Sequence, residues 1–93
     1  MNKNKLKLAR NKVDQLDQKI FYLIKKRTQI VKYMLGLKKS RKEIVDYKRN
    51  NDIFRKIKNK SIKNGIDPKI TRRIWKAMIW SYVDFQRRNF KKR

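Results

Sequence analysis

The stretch from Lys5 to Lys39 contains no proline, and its apolar residues Val13, Leu16, Ile20, Leu23, Ile24, Ile30, Val31, Met34 and Leu37 recur at three- and four-residue intervals. That spacing stacks them along one face of a helix. About 35 residues at ~1.5 Å each extend ~52 Å, whereas a compact globule of this size would be only ~30 Å across. The first helix must therefore overhang, and its apolar stripe needs cover along its whole length. A second copy of the chain is the economical cover, since two-fold homodimers are the commonest closed assembly. Gly36 lies inside the helix, where it costs up to ~1 kcal/mol relative to alanine; close packing would offset that.

Two further helices complete the pattern. The polar stretch Lys39–Glu43 interrupts it, and a second helix is expected from Val45 to Asn64 with Ile53, Phe54 and Ile57 facing inward. Gly65 suits a left-handed turn after a helix end. Asp67-Pro68 reads as an N-cap followed by the first helical position, because Asp accepts from unbonded backbone amides and Pro has no amide to leave unbonded. The third helix then runs from Pro68 to Phe90 and is expected to bury Ile70, Ile74, Met78, Ser81 and Phe85. No repeat or low-complexity linker divides the chain. The expected fold class is all-α, a single domain over residues 1–93 with one long N-terminal helix and two shorter ones.

The residue inventory limits the chemistry. There is no cysteine and no histidine, which excludes disulfides, cysteine nucleophiles, Ser-His triads and Cys/His zinc sites. The seven acidic residues Asp14, Asp17, Glu43, Asp46, Asp52, Asp67 and Asp84 are scattered, which argues against a carboxylate metal cage or a two-carboxylate glycosidase site. An enzyme built from this inventory works by positioning and electrostatics, with no cofactor. The absence of cysteine points to the cytoplasm. No apolar run approaches the ~20 residues of a membrane span, and the basic start lacks the apolar segment of a secretory signal.

The formal net charge of +23 attracts any polyanion. The abundance of Lys, Ile and Asn is equally what AT-rich codons favour, so charge alone assigns no function. Position says more. Arg27 sits inside the apolar stripe between Leu23/Ile24 and Ile30/Val31, and Lys38 follows eleven residues later, close to three helical turns. Arg10, three residues before Val13, falls on the same side. On the second helix Asp46, Arg49, Asn50, Ile53 and Ile57 share a face. Any one of these cations could simply snorkel at the stripe's edge. As a set they require an anion, because desolvation and mutual repulsion add when cations are buried together. A small dicarboxylate would supply it, and arginine forks match carboxylates. Arg27 and Lys38, ~16 Å apart along the axis, can lean toward one ligand, whereas Arg10 lies ~25 Å from Arg27. If Arg10 serves the same pocket, it comes from the other subunit.

In order along the chain, Leu8-Ala9-Arg10, Val13-Asp14-Gln15-Leu16-Asp17, Ile20, Leu23-Ile24, Arg27, Gly36-Leu37-Lys38, Asp46 to Arg49, Gly65-Ile66-Asp67-Pro68 and Gln86 resemble the all-helical (type II) chorismate mutase family over nearly the whole length. The resemblance implies an intertwined homodimer of three-helix protomers with two identical sites that rearrange chorismate to prephenate, a step of the shikimate pathway toward aromatic amino acids. It implies that Arg27 and the partner subunit's Arg10 clamp the two carboxylates and that Lys38 and Gln86 donate to the ether oxygen. Arg49 would assist at a carboxylate, with Asp46 and Asn50 at the ring hydroxyl. Such a rearrangement needs no nucleophile, metal or cofactor, only a compact bound shape and stabilised charge on oxygen. Two positions depart from the usual pattern: Asn50 stands where Glu is typical, and Tyr82 where Ser is typical. The isochorismate pyruvate lyases, which share the fold, look similar at Tyr82-x-x-x-Gln86 but lack the residue matching Asp46.

Two readings from other classes stand beside it. The charge, Trp75, Trp80 and the tail from Arg87-Arg88 to Lys91-Lys92-Arg93 suit a nucleic-acid binder, yet no recognition motif is present, so such binding is expected to be non-specific. A structural coiled coil fits less well, because the stripe is short and interrupted by cations.

Overall fold

The computed structural model describes residues 2–91. Lys92 and Arg93 of the basic tail lie outside the described residues. Within them the chain is all-helical, with α1 (Asn2–Leu37), a short 3-10 turn (Arg41–Glu43), α2 (Tyr47–Lys63) and α3 (Pro68–Asn89), and no strand. None of these helices is long and apolar enough to cross a membrane. The boundaries fall within a few residues of those expected; the largest shift is the earlier start of α1, and α1 ends at Leu37 rather than Lys39 while α2 starts at Tyr47 rather than Val45. The chain divides into two compact units, one ending at Tyr33 and the other beginning at Met34.

The first unit is the body of α1. Thr28 donates its hydroxyl to the Ile24 carbonyl at 2.8 Å, and the Lys26 ammonium lies 4.9 Å from the centre of the Tyr22 ring. No residue of α1 is buried within the single chain. Leu16, Ile20 and Leu23 of the stripe keep 56%, 53% and 62% of their surface exposed.

The second unit is a helical hairpin with the loop that precedes it. Packing joins α2 to α3. Ser61 and Thr71 meet near the turn at 2.7 Å, and Tyr47 meets Trp80 at the far end with ring centres 6.3 Å apart, so the two helices are antiparallel. The turn itself has a physical explanation in every residue. Ile66 N–H donates to the Ser61 carbonyl and Gly65 N–H to the Ile62 carbonyl, the paired bonds of a Schellman ending. Gly65 adopts φ +71°, which a side chain would make strained. Asp67 then accepts from Lys69 N–H at 2.9 Å, and Pro68 opens α3 as expected.

The expected burial on α3 needs correction. Ile70 and Ile74 are more than half exposed, Ser81 is exposed, and Met78 and Phe85 are half-buried. The buried residues are Ile79, Val83 and Gln86, flanked by half-buried Thr71, Trp75 and Tyr82. Helix α3 carries two apolar strips about one residue step, ~100°, apart, and periodicity alone does not say which one meets α2. The inward expectation for Ile53, Phe54 and Ile57 holds, since each is half-buried.

Ser61, 3% exposed, donates to the Ile57 carbonyl at 2.6 Å and shares a hydroxyl contact with Thr71, which also lies 3.3 Å from the Pro68 carbonyl. Replacing Ser61 by alanine removes the hydroxyl bond between the two helices, a loss of ~1 kcal/mol that should lower Tm by ~4–8 °C. Thermal unfolding at one fixed protein concentration checks this, and an unchanged Tm would show that the hydroxyl pair adds nothing to helix packing.

Candidate active site

Lys38 follows the last residue of α1 and keeps a turn-like bond from its amide to the Leu35 carbonyl at 3.2 Å. Its side chain reaches α3, where Nζ donates to Gln86 Oε1 at 2.7 Å, and it lies 3.5 Å from the Ile44 carbonyl. Gln86 is 7% exposed and Ile44 5%. Gln86 Nε2 donates to the Tyr82 carbonyl one turn earlier at 3.2 Å, so its amide has one orientation in which both ends are bonded. Helix spacing explains why a polar side chain is buried here. Gln86 follows Ile79 by seven residues and Val83 by three, so packing those two inward carries Gln86 with them.

Electrostatics distinguish Lys38 from the other cations. Burial holds its pKa below the ordinary lysine value, while the carboxylates of Glu43 and Asp46 act in the opposite sense without cancelling the effect. The ammonium is thus under-compensated, and an anionic group docking against it would restore the charged form's stability. Glu43 is itself tied down. Its carboxylate accepts from the backbone amides of Ser40, at 2.9 Å, and Lys39, and those hydrogen bonds hold its pKa below the usual carboxylate range. Asp46 is the N-cap of α2, accepting from Arg49 N–H at 3.0 Å. Asp46, Arg49 and Ile53 line one shallow hollow on the α2 surface.

Of the residues expected to act together, Lys38 and Gln86 are bonded, Tyr82 joins them through its carbonyl, and Asp46 is close enough to influence the Lys38 charge. Asn50 is half-buried, and its backbone amide bonds the Asp46 carbonyl at 2.9 Å. Arg10, exposed, and Arg27, half-buried, belong to the first unit. Sequence reasoning missed the contribution of Ile44 and the two caps. The caps had a signal: Ser40-x-x-Glu43 has the spacing of a capping box, and an aspartate directly before a helix is a preferred N-cap.

Gln86→Leu removes the oxygen that stabilises the Lys38 ammonium. Because a hydrogen bond to the charged form favours that form, the Lys38 pKa should fall further. Titration of the Lys38 Nζ resonance by NMR measures it, and an unchanged or raised pKa would contradict the bond's role.

Comparison with known proteins gives one family. The sequence pattern of chorismate mutase type II matches residues 9–87 of the 93-residue chain, which takes in both units and every residue discussed above as a site candidate. No curated protein and no solved structure matches. The family is one of isomerases that convert chorismate to prephenate. By the extent of that match, together with its three-helix architecture, this chain belongs to the chorismate mutase type II family.

Proposed function

We propose that the protein rearranges chorismate to prephenate in two identical sites of an intertwined homodimer. The observation that carries this reading is the Lys38–Gln86 bond at 2.7 Å, which joins two donors at a buried point of the second unit. In the rearrangement the ether C–O bond breaks as a C–C bond forms within the same molecule, and negative charge builds on the ether oxygen. After the bonds described above, Lys38 and Gln86 each retain an N–H for that oxygen. Such donors act because they are placed before the charge appears, and loss of one typically costs ~10²–10³ in kcat.

The remaining roles follow the arginines and the start of α2. Arg27 and the partner subunit's Arg10 hold the two carboxylates, and Arg49 assists at one of them. Asp46 Oδ1 is engaged by the Arg49 backbone amide, which leaves its other oxygen for the ring hydroxyl together with the Asn50 side-chain amide. Tyr82 closes the rim. The dimer is supported by apolar surface that a single chain leaves bare on α1, and by the half-exposed Ile70 and Ile74 strip of α3. Contiguous apolar surface of this kind marks an association site.

Purified protein should consume chorismate and yield prephenate without added metal or cofactor, and Lys38→Ala should lower kcat by ~10²–10³. Absorbance loss with product identification measures this, and inactivity at high enzyme concentration would refute the reading. Isochorismate converted to salicylate and pyruvate, with chorismate untouched, would instead assign the lyase activity. The shared site has a separate test. Arg10→Ala and Arg27→Ala variants, each inactive, should regain activity when mixed and refolded, because one heterodimer site then draws both arginines from intact positions. Demonstrated heterodimers without recovery would overturn it.

A further inference from the structure

Lys38 and Gln86 sit on different segments, so their bond depends on whatever fixes the 38–46 loop against the end of α3. Ile44 anchors the loop from inside, at 5% exposure. A second tie lies on the outer side. Arg41, in the 3-10 turn, donates from Nη1 to the Arg87 carbonyl at 3.0 Å, and its guanidinium carbon lies 5.4 Å from the centre of the Phe90 ring. Arg87 directly follows Gln86, and its carbonyl is among the last four of α3, which have no amide one turn further along the helix. A cation is favoured at that end of a helix. The turn that projects Arg41 is held by Glu43 through the Lys39 and Ser40 amides. The loop that starts at Lys38 is therefore pinned beside Gln86 from both sides.

We infer that Arg41 is a positioning residue for the reaction: by bonding the Arg87 carbonyl and making a cation–π contact with Phe90, it sets the Lys38–Gln86 geometry. The inference rests on the reading of those two residues as donors to the ether oxygen. Arginine suits this better than lysine, because its broader guanidinium offers one N–H to the carbonyl while the rest of the group stays near the ring. Arg41 itself is exposed, and no role in binding the carboxylates is assigned to it. Its removal should therefore act on kcat more than on KM.

The test compares Arg41→Ala, Arg41→Lys and Phe90→Leu with the unaltered protein. Arg41→Ala should lower kcat by ~10-fold, since small misplacements of reacting groups cost up to ~10²-fold, with KM changed less than about twofold. Arg41→Lys should not restore the rate, and Phe90→Leu should give an intermediate loss. In a Gln86→Ala background Arg41→Ala should change kcat less than about twofold, as residues acting through one group are non-additive. The Gln86 side-chain amide resonances should move in Arg41→Ala while the fold persists by circular dichroism. A full loss of rate repeated in the Gln86→Ala background, or unmoved Gln86 resonances, would overturn the inference. The resonances report on Arg41 even if chorismate proves not to be the substrate, which keeps failure of the two readings distinct.

Discussion

Ile79, Val83 and Gln86 are spaced four and three residues apart on α3, and this fixes what the second unit can present. With the two apolar side chains turned toward the core, the glutamine at the next helical step has no outward option. A buried amide must be satisfied, and it is, by the Lys38 ammonium on one side and the Tyr82 carbonyl on the other. Had α3 met α2 through its Ile70–Ile74 strip, Gln86 would have been rotated away and Lys38 would have lost its acceptor. The rotation of one helix thus decides both the core and the bond between Lys38 and Gln86.

The turn between α2 and α3 was legible because it carries strong local signals. Gly65, Asp67 and Pro68 act through a left-handed residue, a side-chain acceptor and a missing amide, and each of these preferences holds without tertiary context. The phase of α3 was not legible, since two apolar strips compete and packing against α2 decides between them. The loop was half legible. Residues 39–43 read as polar and disruptive, yet Ser40 and Glu43 form a short capped turn whose spacing was present in the sequence. Lys38 is singled out by its facing and by resemblance and Gln86 by resemblance alone, while their contact across forty-eight positions is a tertiary fact. Arg10 and Arg27 belong to the first unit, and the shared site proposed for them draws on a second chain.

The cover for α1 is the other consequence of this economy. With a small core of Ile44, Ile79 and Val83 among the described residues, the chain leaves most of its large apolar side chains on the surface. A helix of this length gains most of its stability from packing of its apolar face rather than from propensity. The proposed association of two chains would cover the exposed stripe of α1 and, separately, the bare strip of α3.

The few acidic residues explain how a chain with a net charge of +23 makes one lysine different from the rest. Glu43, Asp46 and Asp67 accept backbone amides as caps, and Asp52 and Asp84 pair with Arg55 and Arg88 on the surface. Near Lys38 the carboxylates are Glu43 and Asp46, and both are already tied to the backbone. Their attraction does not offset the desolvation of the ammonium, so the charge is held short of counter-charge. For most functions that would be a defect. For a site that must stabilise charge appearing on an oxygen, it is the useful condition, because a fully paired cation would have to give up its partner first. On the proposed reading, a dianionic substrate drawn by the surrounding field would supply the missing counter-charge and leave Lys38 and Gln86 to meet the oxygen where charge develops.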